Sequence, residues 1–310
     1  METRTDWKYW IDACKDAIQN LNYFRSTPEF QLVIEGTPKL WGEYHLKNLL
    51  NNQLFIRALS DLEEMDLFGL AFRDTCYDKR IEFKTKDSTG IHNHCLTPTA
   101  LRYARNTINI LEIFGASLPS AFSIYEIGGG YGGDAKTFSA IASHANISPY
   151  SWNVFDLESS HELIKQSCKH ISFPIALNAN YPSSKITPKG KGLCFSCGAL
   201  SEMNGKTLDS YLHNVLLPCD FGYFLCNFDS HSKPYGGIST KDFIEFLKNN
   251  GKKNVQELNS FDYFTPYDNF SGGSRLVIFG AEESLLNAPR TTDFIRFKLS
   301  RLKNKVSNIF

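Results

Sequence analysis

The sequence predicts a doubly wound α/β protein with a seven-stranded, mostly parallel sheet, and three observations carry that expectation. Between residues 120 and 281, short apolar runs alternate with helical segments, the pattern of parallel strands joined by crossovers that pack on both faces. One run, FSIYEI at 122–127, passes straight into GGGYGGDA, so a strand is delivered into a glycine-rich turn that opens a helix. The chain has 310 residues, 42% hydrophobic and 21% charged, enough for one large α/β domain with an appended unit.

Residues 1–118 read as a mostly helical unit. Helical periodicity runs through 7–24 and again through 46–72, where Leu49, Leu50, Ile56, Leu59, Leu62 and Met65 make the apolar stripe. Residues 84–94 read as a polar, loop-like segment. Thr97 is the expected N-cap of a further helix, with Pro98 at its first position and Gly115 closing it. Residues 119–290 form the sheet domain, with strands at 122–127, 151–155, 173–177, 193–197, 221–228, 254–258 and 275–280. Its helices read at 134–145, 158–167, 206–215 and 240–249. A basic amphipathic helix is expected over 291–310: Ile295, Leu299, Leu302, Val306 and Ile309 share one stripe, and Arg296, Lys298, Arg301, Lys303 and Lys305 the polar side. That helix suits an anionic membrane surface, or docking on its own protein or a partner.

The formal net charge is zero, which argues against nucleic acid as a partner. METRTDWKYW at the start has no apolar core of a secretory signal, and no apolar run reaches the length of a membrane span. The eight cysteines are scattered, most of them in apolar segments, as reduced core thiols of a cytoplasmic protein are. Cys194 and Cys197 form a C-x-x-C on a strand, where residues three apart face opposite ways, so no metal site is expected there. The aromatic fraction of 14% serves a large core and also suits sugar platforms.

Two patterns overlap in the glycine run. Gly128, Gly130 and Gly133 fit G-x-G-x-x-G, the dinucleotide fingerprint. Glu126, Gly128, Gly130 and Gly132 fit acid-x-G-x-G-x-G, which resembles the first motif of class I S-adenosylmethionine (SAM) methyltransferases. The acid decides between them. Deep in a buried parallel strand a carboxylate is costly unless it is paired, and a cofactor with an ammonium and a sulfonium supplies cationic charge. Glu126, Gly128, Gly129, Gly130, Tyr131 and Gly132 are therefore the first candidate cofactor residues.

Ligands of doubly wound sheets bind at the carboxyl ends of the strands. The second strand ends at Asp156-Leu157, where a carboxylate can accept both ribose hydroxyls or cap the next helix. The fourth ends at Ser196 and Cys197, beside the expected cofactor, followed by Glu202 as a base or sugar-orienting group. The fifth ends in CNFDSHSKPYGG. There His231 is the candidate base, since imidazole titrates near neutrality. Asp229 would orient it or share a cation with Glu202, and Tyr235 would meet substrate. His92 and His94, two apart on an extended segment, share one face and are candidates for substrate contact. As metal ligands they are too few, and metal dependence stays open.

YEIGGGYGG at 125–133, VFDLESS at 154–160, CGALSEM at 197–203 and Tyr211 together resemble the bacterial sugar O-methyltransferases, over roughly residues 97–227. The chain departs from that pattern at the end of strand four, where Phe195-Ser196-Cys197-Gly198 replaces a more polar end. The resemblance implies a Rossmann-like class I methyltransferase fold whose seventh strand inserts antiparallel. It implies SAM as cofactor and S-adenosylhomocysteine (SAH) as product. The acceptor would be a sugar hydroxyl of a surface glycan, of O-antigen or capsule type, or its lipid-linked precursor. A glycosyltransferase partner, a homodimer and a peripheral place at the inner membrane go with that setting. Two other readings compete: an NAD-dependent sugar dehydrogenase or epimerase, and a non-catalytic scaffold of glycan assembly.

Overall fold

The computed structural model describes residues 5–33, 37–70, 80–115, 117–118, 122–203, 205–229, 237–258 and 275–282. His231, Tyr235 and the predicted helix over 291–310 lie outside the described residues. The first part of the chain carries α1 (Thr5–Gln19), a short helical turn (Phe24–Ser26), α2 (Pro28–Val33), α3 (Lys39–Leu49), α4 (Gln53–Arg57) and α5 (Leu59–Asp66). A hairpin of β1 (Ile81–Lys86) and β2 (Ile91–Leu96) and the long α6 (Pro98–Phe114) follow. Then come β3 (Phe122–Ile127), α7 (Gly133–Ser143), β4 (Ser151–Asp156), α8 (Glu158–Ser167), β5 (Ile175–Ala179), β6 (Lys191–Cys197), α9 (Gly205–Tyr211), β7 (Phe221–Cys226), α10 (Thr240–Asn249), β8 (Gln256–Leu258) and β9 (Arg275–Phe279).

The expected seven-stranded sheet is present, in the order β5-β4-β3-β6-β7-β9-β8. β3, β4 and β5 pair in parallel, as do β6 and β7, while β9 runs antiparallel to both β7 and β8. This is a Rossmann-like sheet with one antiparallel strand inserted near its edge. Every residue of β3 and β7 is buried, because FSIYEI and FGYFLC carry apolar groups on both faces of a sheet covered on both sides. Chain order reverses at β3, and doubly wound sheets bind ligands outside the carboxyl end of such a strand. The described residues group into two compact units, one within Met1–Leu111 and Ser120–Asn180, the other within Glu112–Pro119 and Tyr181–Phe310.

Several boundaries differ from the sequence expectation for local reasons. β5 starts after Pro174, whose carbonyl accepts the Trp152 N–H at 2.9 Å but which has no N–H to give a ladder. β8 starts after Asn254, whose φ of 52° is incompatible with a strand. The single helical stripe over 46–72 is cut at Asn52, whose side chain accepts the Leu54 and Phe55 N–H groups at 3.0 and 3.2 Å and so starts α4. The loop expected at 84–94 is a hairpin, with Lys84 opposite Asn93. Its turn is set by Asp87, whose Oδ1 accepts the Thr89 and Gly90 N–H groups. Thr97 caps α6 as expected, its hydroxyl accepting the Ala100 N–H at 3.1 Å.

In the first unit, Trp10, Cys14, Phe24, Phe30, Tyr103, Tyr131 and Leu163 form one buried cluster. Beside it Arg25 and Asp66 make a buried ion pair at 2.8 Å, with side chains 0% and 2% exposed. Thr97 completes it, donating its N–H to Asp66 Oδ2 at 2.6 Å and its hydroxyl to Oδ1 at 2.8 Å. Removing one partner of such a pair strands the other charge away from water. Asp66→Ala should cost about 3–5 kcal/mol of stability in urea unfolding, and a loss below about 1 kcal/mol would show that Arg25 finds solvent without it.

Candidate functional site

The glycine turn joins β3 to α7 within the first unit. Gly128, Gly130 and Gly132 have φ of 82°, 58° and 85°, values that glycine adopts without strain. A Cβ on Gly129 would stand 2.5 Å from Val154 Cγ1, and one on Gly132 2.5 Å from Cys168 Sγ. The turn thus presses its backbone onto β4 and onto the end of α8. Gly128 is tied to β4 by donating to the Phe155 carbonyl at 2.9 Å.

Beneath this turn sits Glu126, 1% exposed. Its Oε2 accepts the Trp152 indole N–H at 2.6 Å. Trp152 is itself fixed by stacking on Phe173 (5.7 Å, 11°) and an edge contact with Phe138 (5.3 Å). No lysine, arginine or histidine among the described residues forms an ion pair with Glu126. Burial first, and then the charge of Asp134, push its carboxyl well above the usual glutamate range, against the Trp152 bond. Asp134, in the first turn of α7, accepts the Asn106 amide at 3.0 Å. Burial raises it to about 6, against the Asn106 bond and the Arg102 charge. Asp134 and Trp152 were not singled out from sequence. The acid directly after the glycines and the indole on the neighbouring strand were the available signals.

Asp156 closes the same side of the turn. Its Oδ2 accepts the Gly130 N–H at 2.8 Å, and its Oδ1 accepts the Leu157 N–H at 2.6 Å and the Ser160 hydroxyl at 3.2 Å. Burial raises its carboxyl, and those three donors oppose the shift. The N-cap position of α8 falls to Leu157, and Asp156 holds the chain one residue before it while also touching the glycine backbone. The Tyr131 ring turns into the buried cluster, 3% exposed, with the Arg25 guanidinium 5.1 Å from its centroid. Leu157 packs against that cluster. The structure thus brings Glu126, Gly128, Gly129, Gly130, Gly132 and Asp156 together, with Tyr131 and Leu157 anchoring the turn.

His92 and His94 sit on β2 with separate partners. His92, near the start of β2, reaches back to the hairpin turn, 3.1 Å from Asp87 Oδ1 and 2.9 Å from the Thr89 hydroxyl. His94 lies between Glu63 Oε2 and the Thr85 hydroxyl, each at 2.9 Å.

In the second unit, Ser196 is buried and its hydroxyl accepts the Leu200 N–H at 3.2 Å. Cys197 is half-buried at the end of β6. Gly198 follows, donating its N–H to the Leu225 carbonyl at 2.8 Å, and Ser201 then receives the Asn227 N–H at 3.1 Å. Glu202 is exposed at the end of the turn Ala199–Glu202. Asp229 accepts the Thr240 N–H at 3.2 Å and its hydroxyl at 2.7 Å, and so holds the start of α10.

No protein-family model and no curated protein matches this sequence. Among solved structures, the chain is similar to the CMeT domain of the citrinin polyketide synthase at 13% identity and a TM-score of 0.43, over 60% of this chain and 54% of that one. It is similar to the N-methyltransferase NodS from Bradyrhizobium japonicum WM9, in complex with SAH, at 16% identity and a TM-score of 0.40, over 58% and 86%. It is similar to PigF with SAH at 12% identity and a TM-score of 0.38, over 59% and 56%. The match thus spans little more than half the length of the citrinin synthase domain and of PigF. No helix among the described residues is long and apolar enough to cross a membrane.

The raised carboxyls of Glu126 and Asp134 set the sign of the pH dependence. A carboxyl whose folded value lies above its unfolded value binds more protons when folded, so stability falls as pH rises between the two. The contribution of these two carboxyls to the unfolding free energy should therefore decline from about pH 4 towards neutrality, against the opposite contribution of the buried His45, which burial lowers to about 3. Glu126→Gln should flatten that decline and be the more stable protein near pH 8, by about 1 kcal/mol or more. A variant whose urea stability runs parallel to the wild type across that range would contradict the assignment.

Proposed function

We propose that this chain is a SAM-dependent O-methyltransferase. The observation that carries the reading is Glu126: a fully buried carboxyl with one neutral donor, directly beneath a glycine turn, next to two further acids. Such a site is incomplete without positive charge. The residues present fit the cofactor. The Gly128–Gly132 turn packs its backbone where a Cβ on Gly129 or Gly132 would meet Val154 or Cys168, Glu126 and Asp134 favour the cofactor's ammonium, and Asp156 with Leu157 is the acceptor for its ribose hydroxyls in this reading. When bound, SAM supplies an electrophilic methyl group on sulfur.

The acceptor hydroxyl must lose its proton, so a base is required. In this reading His231 is that base, Asp229 and Glu202 are its orienting groups, and Ser196 and Cys197 are cofactor contacts. The acceptor is a sugar hydroxyl of a bacterial surface glycan or its lipid-linked precursor, by the resemblance of 125–133, 154–160 and 197–203. A cytoplasmic enzyme held at the inner membrane by the basic 291–310 segment, alone or with a glycosyltransferase, fits that acceptor.

Calorimetric titration with SAH and, in parallel, NAD tests the cofactor. Micromolar binding of SAH and none of NAD is expected. Binding of NAD alone would overturn the reading in favour of a dehydrogenase, and binding of neither in favour of a scaffold.

A further inference from the structure

We propose that Trp10 and Ser160 are positioning residues of the cofactor site: the Trp10 indole sets the direction of the Ser160 hydroxyl, and that hydroxyl holds Asp156 for the ribose. These roles rest on the methyltransferase reading and deepen it. The geometry is a directed chain of hydrogen bonds from α1 through α8 to the end of β4, all within the first unit. Trp10 Nε1 donates to Ser160 Oγ at 3.0 Å, and Ser160 Oγ donates to Asp156 Oδ1 at 3.2 Å. An indole N–H can only donate, and a hydroxyl has one proton. The Ser160 oxygen is therefore the acceptor towards α1, and its proton is left for the carboxylate. Cys14 Sγ lies 3.7 Å from the same oxygen, but a thiol is a weak acceptor, and burial keeps this one protonated, pushed up to about 12.

Ser160 lies in the first turn of α8 and is 0% exposed. Inside a helix a serine hydroxyl readily turns back onto a main-chain carbonyl of the preceding turn. Here it reaches the side chain of Asp156 instead. Asp156 Oδ1 also takes the Leu157 N–H at 2.6 Å, so both of its lone pairs are used. Oδ2 takes the Gly130 N–H alone, at 2.8 Å, so the open lone pair of the carboxylate is on Oδ2, beside the glycine turn. That is the atom a ribose hydroxyl meets in this reading. Trp10 is itself fixed, its ring 5.4 Å from that of Phe30 in the buried aromatic cluster. A staple between α1 and α8 needs only the indole bond. The second bond, from Ser160 to Asp156, carries the orientation on to the site.

Ser160→Ala removes the donor to Asp156, and Trp10→Phe removes the donor to Ser160 while keeping a ring in the cluster. Two readouts in the full-length protein test the chain: the carboxyl carbon signal of Asp156 by NMR against pH without cofactor, and calorimetric SAH affinity between about pH 6 and 8. A hydrogen-bond donor favours the charged form of a carboxyl. Asp156 should therefore titrate at higher pH in Ser160→Ala than in the wild type, and move the same way by a smaller step in Trp10→Phe. SAH affinity should fall at least about threefold in both variants, and the loss should grow as pH is lowered. The other titratable groups about Asp156 are Glu126 on β3, Cys14 on α1 and His161 on α8, and both variants retain them. A structural staple would lower stability in urea and leave the Asp156 titration and the pH profile of binding where they were, and that result overturns the proposal. A shifted Ser160→Ala beside an unchanged Trp10→Phe overturns the role of Trp10. A wild type that binds SAH while both variants bind it equally well overturns the proposal and keeps the methyltransferase reading, whereas a wild type that binds no SAH overturns both.

Discussion

A carboxyl at the end of a strand buried on both faces is tolerated only if something nearby answers its charge or holds its proton. Glu126 is in that position, and much of the first unit is arranged around it. The indole of Trp152 supplies one hydrogen bond from β4. Phe138 and Phe173 then fix the indole, so the ring that answers Glu126 is itself part of the core. Asp134 and Asp156, instead of relieving the carboxyl, add to its burden. Three buried acids around one glycine turn make a poor arrangement for stability alone and a good one for a cationic ligand.

The turn above Glu126 is held from the helical side as well. Tyr131 plants its ring among Trp10, Phe24, Phe30 and Tyr103. Lys136, in the first turns of α7, donates to the Met65 carbonyl at 2.9 Å and lies 4.6 Å from the Phe68 ring centroid. Burial, with the Arg25 charge, lowers that ammonium to about 8. The same α5 whose end receives Lys136 also carries Asp66 to Arg25 and Glu63 to His94. A single short helix therefore braces the glycine turn on one side and orients His94 on the other.

The sheet was legible because its strands are short, apolar and bounded by turn residues, and FSIYEIGGGYGG fixed where the site would lie. Glu126 stood out for being polar in an apolar strand, a local conflict of the kind that marks function. The hairpin was not legible as strands. IEFKTK alternates, with Ile81, Phe83 and Thr85 more buried than Glu82, Lys84 and Lys86, but the mostly exposed IHNH is largely polar and without a period, and only the DSTG turn hinted at pairing. The broken helices over 46–72 kept one apolar stripe through Asn52, so periodicity ran across a cap. The partners of His94 were out of reach for another reason: Glu63 and Thr85 come from other elements, and no spacing in the chain relates them. Asp229 comes from a crowd of polar residues in the sequence, and the bonds described for it go to Thr240 at the start of α10.

Proton counting on SAH binding tests the central claim most directly. Calorimetry at several pH values in pairs of buffers of different ionisation enthalpy gives the number of protons exchanged, and cationic charge arriving beside a carboxyl that burial has raised should release protons within that range. Glu126→Gln, which leaves only the raised Asp134 carboxyl to give a proton, should bind more weakly and release fewer. SAH binding without proton release, or with the same release in the variant, would contradict the account of Glu126 as the carboxyl that the cofactor completes.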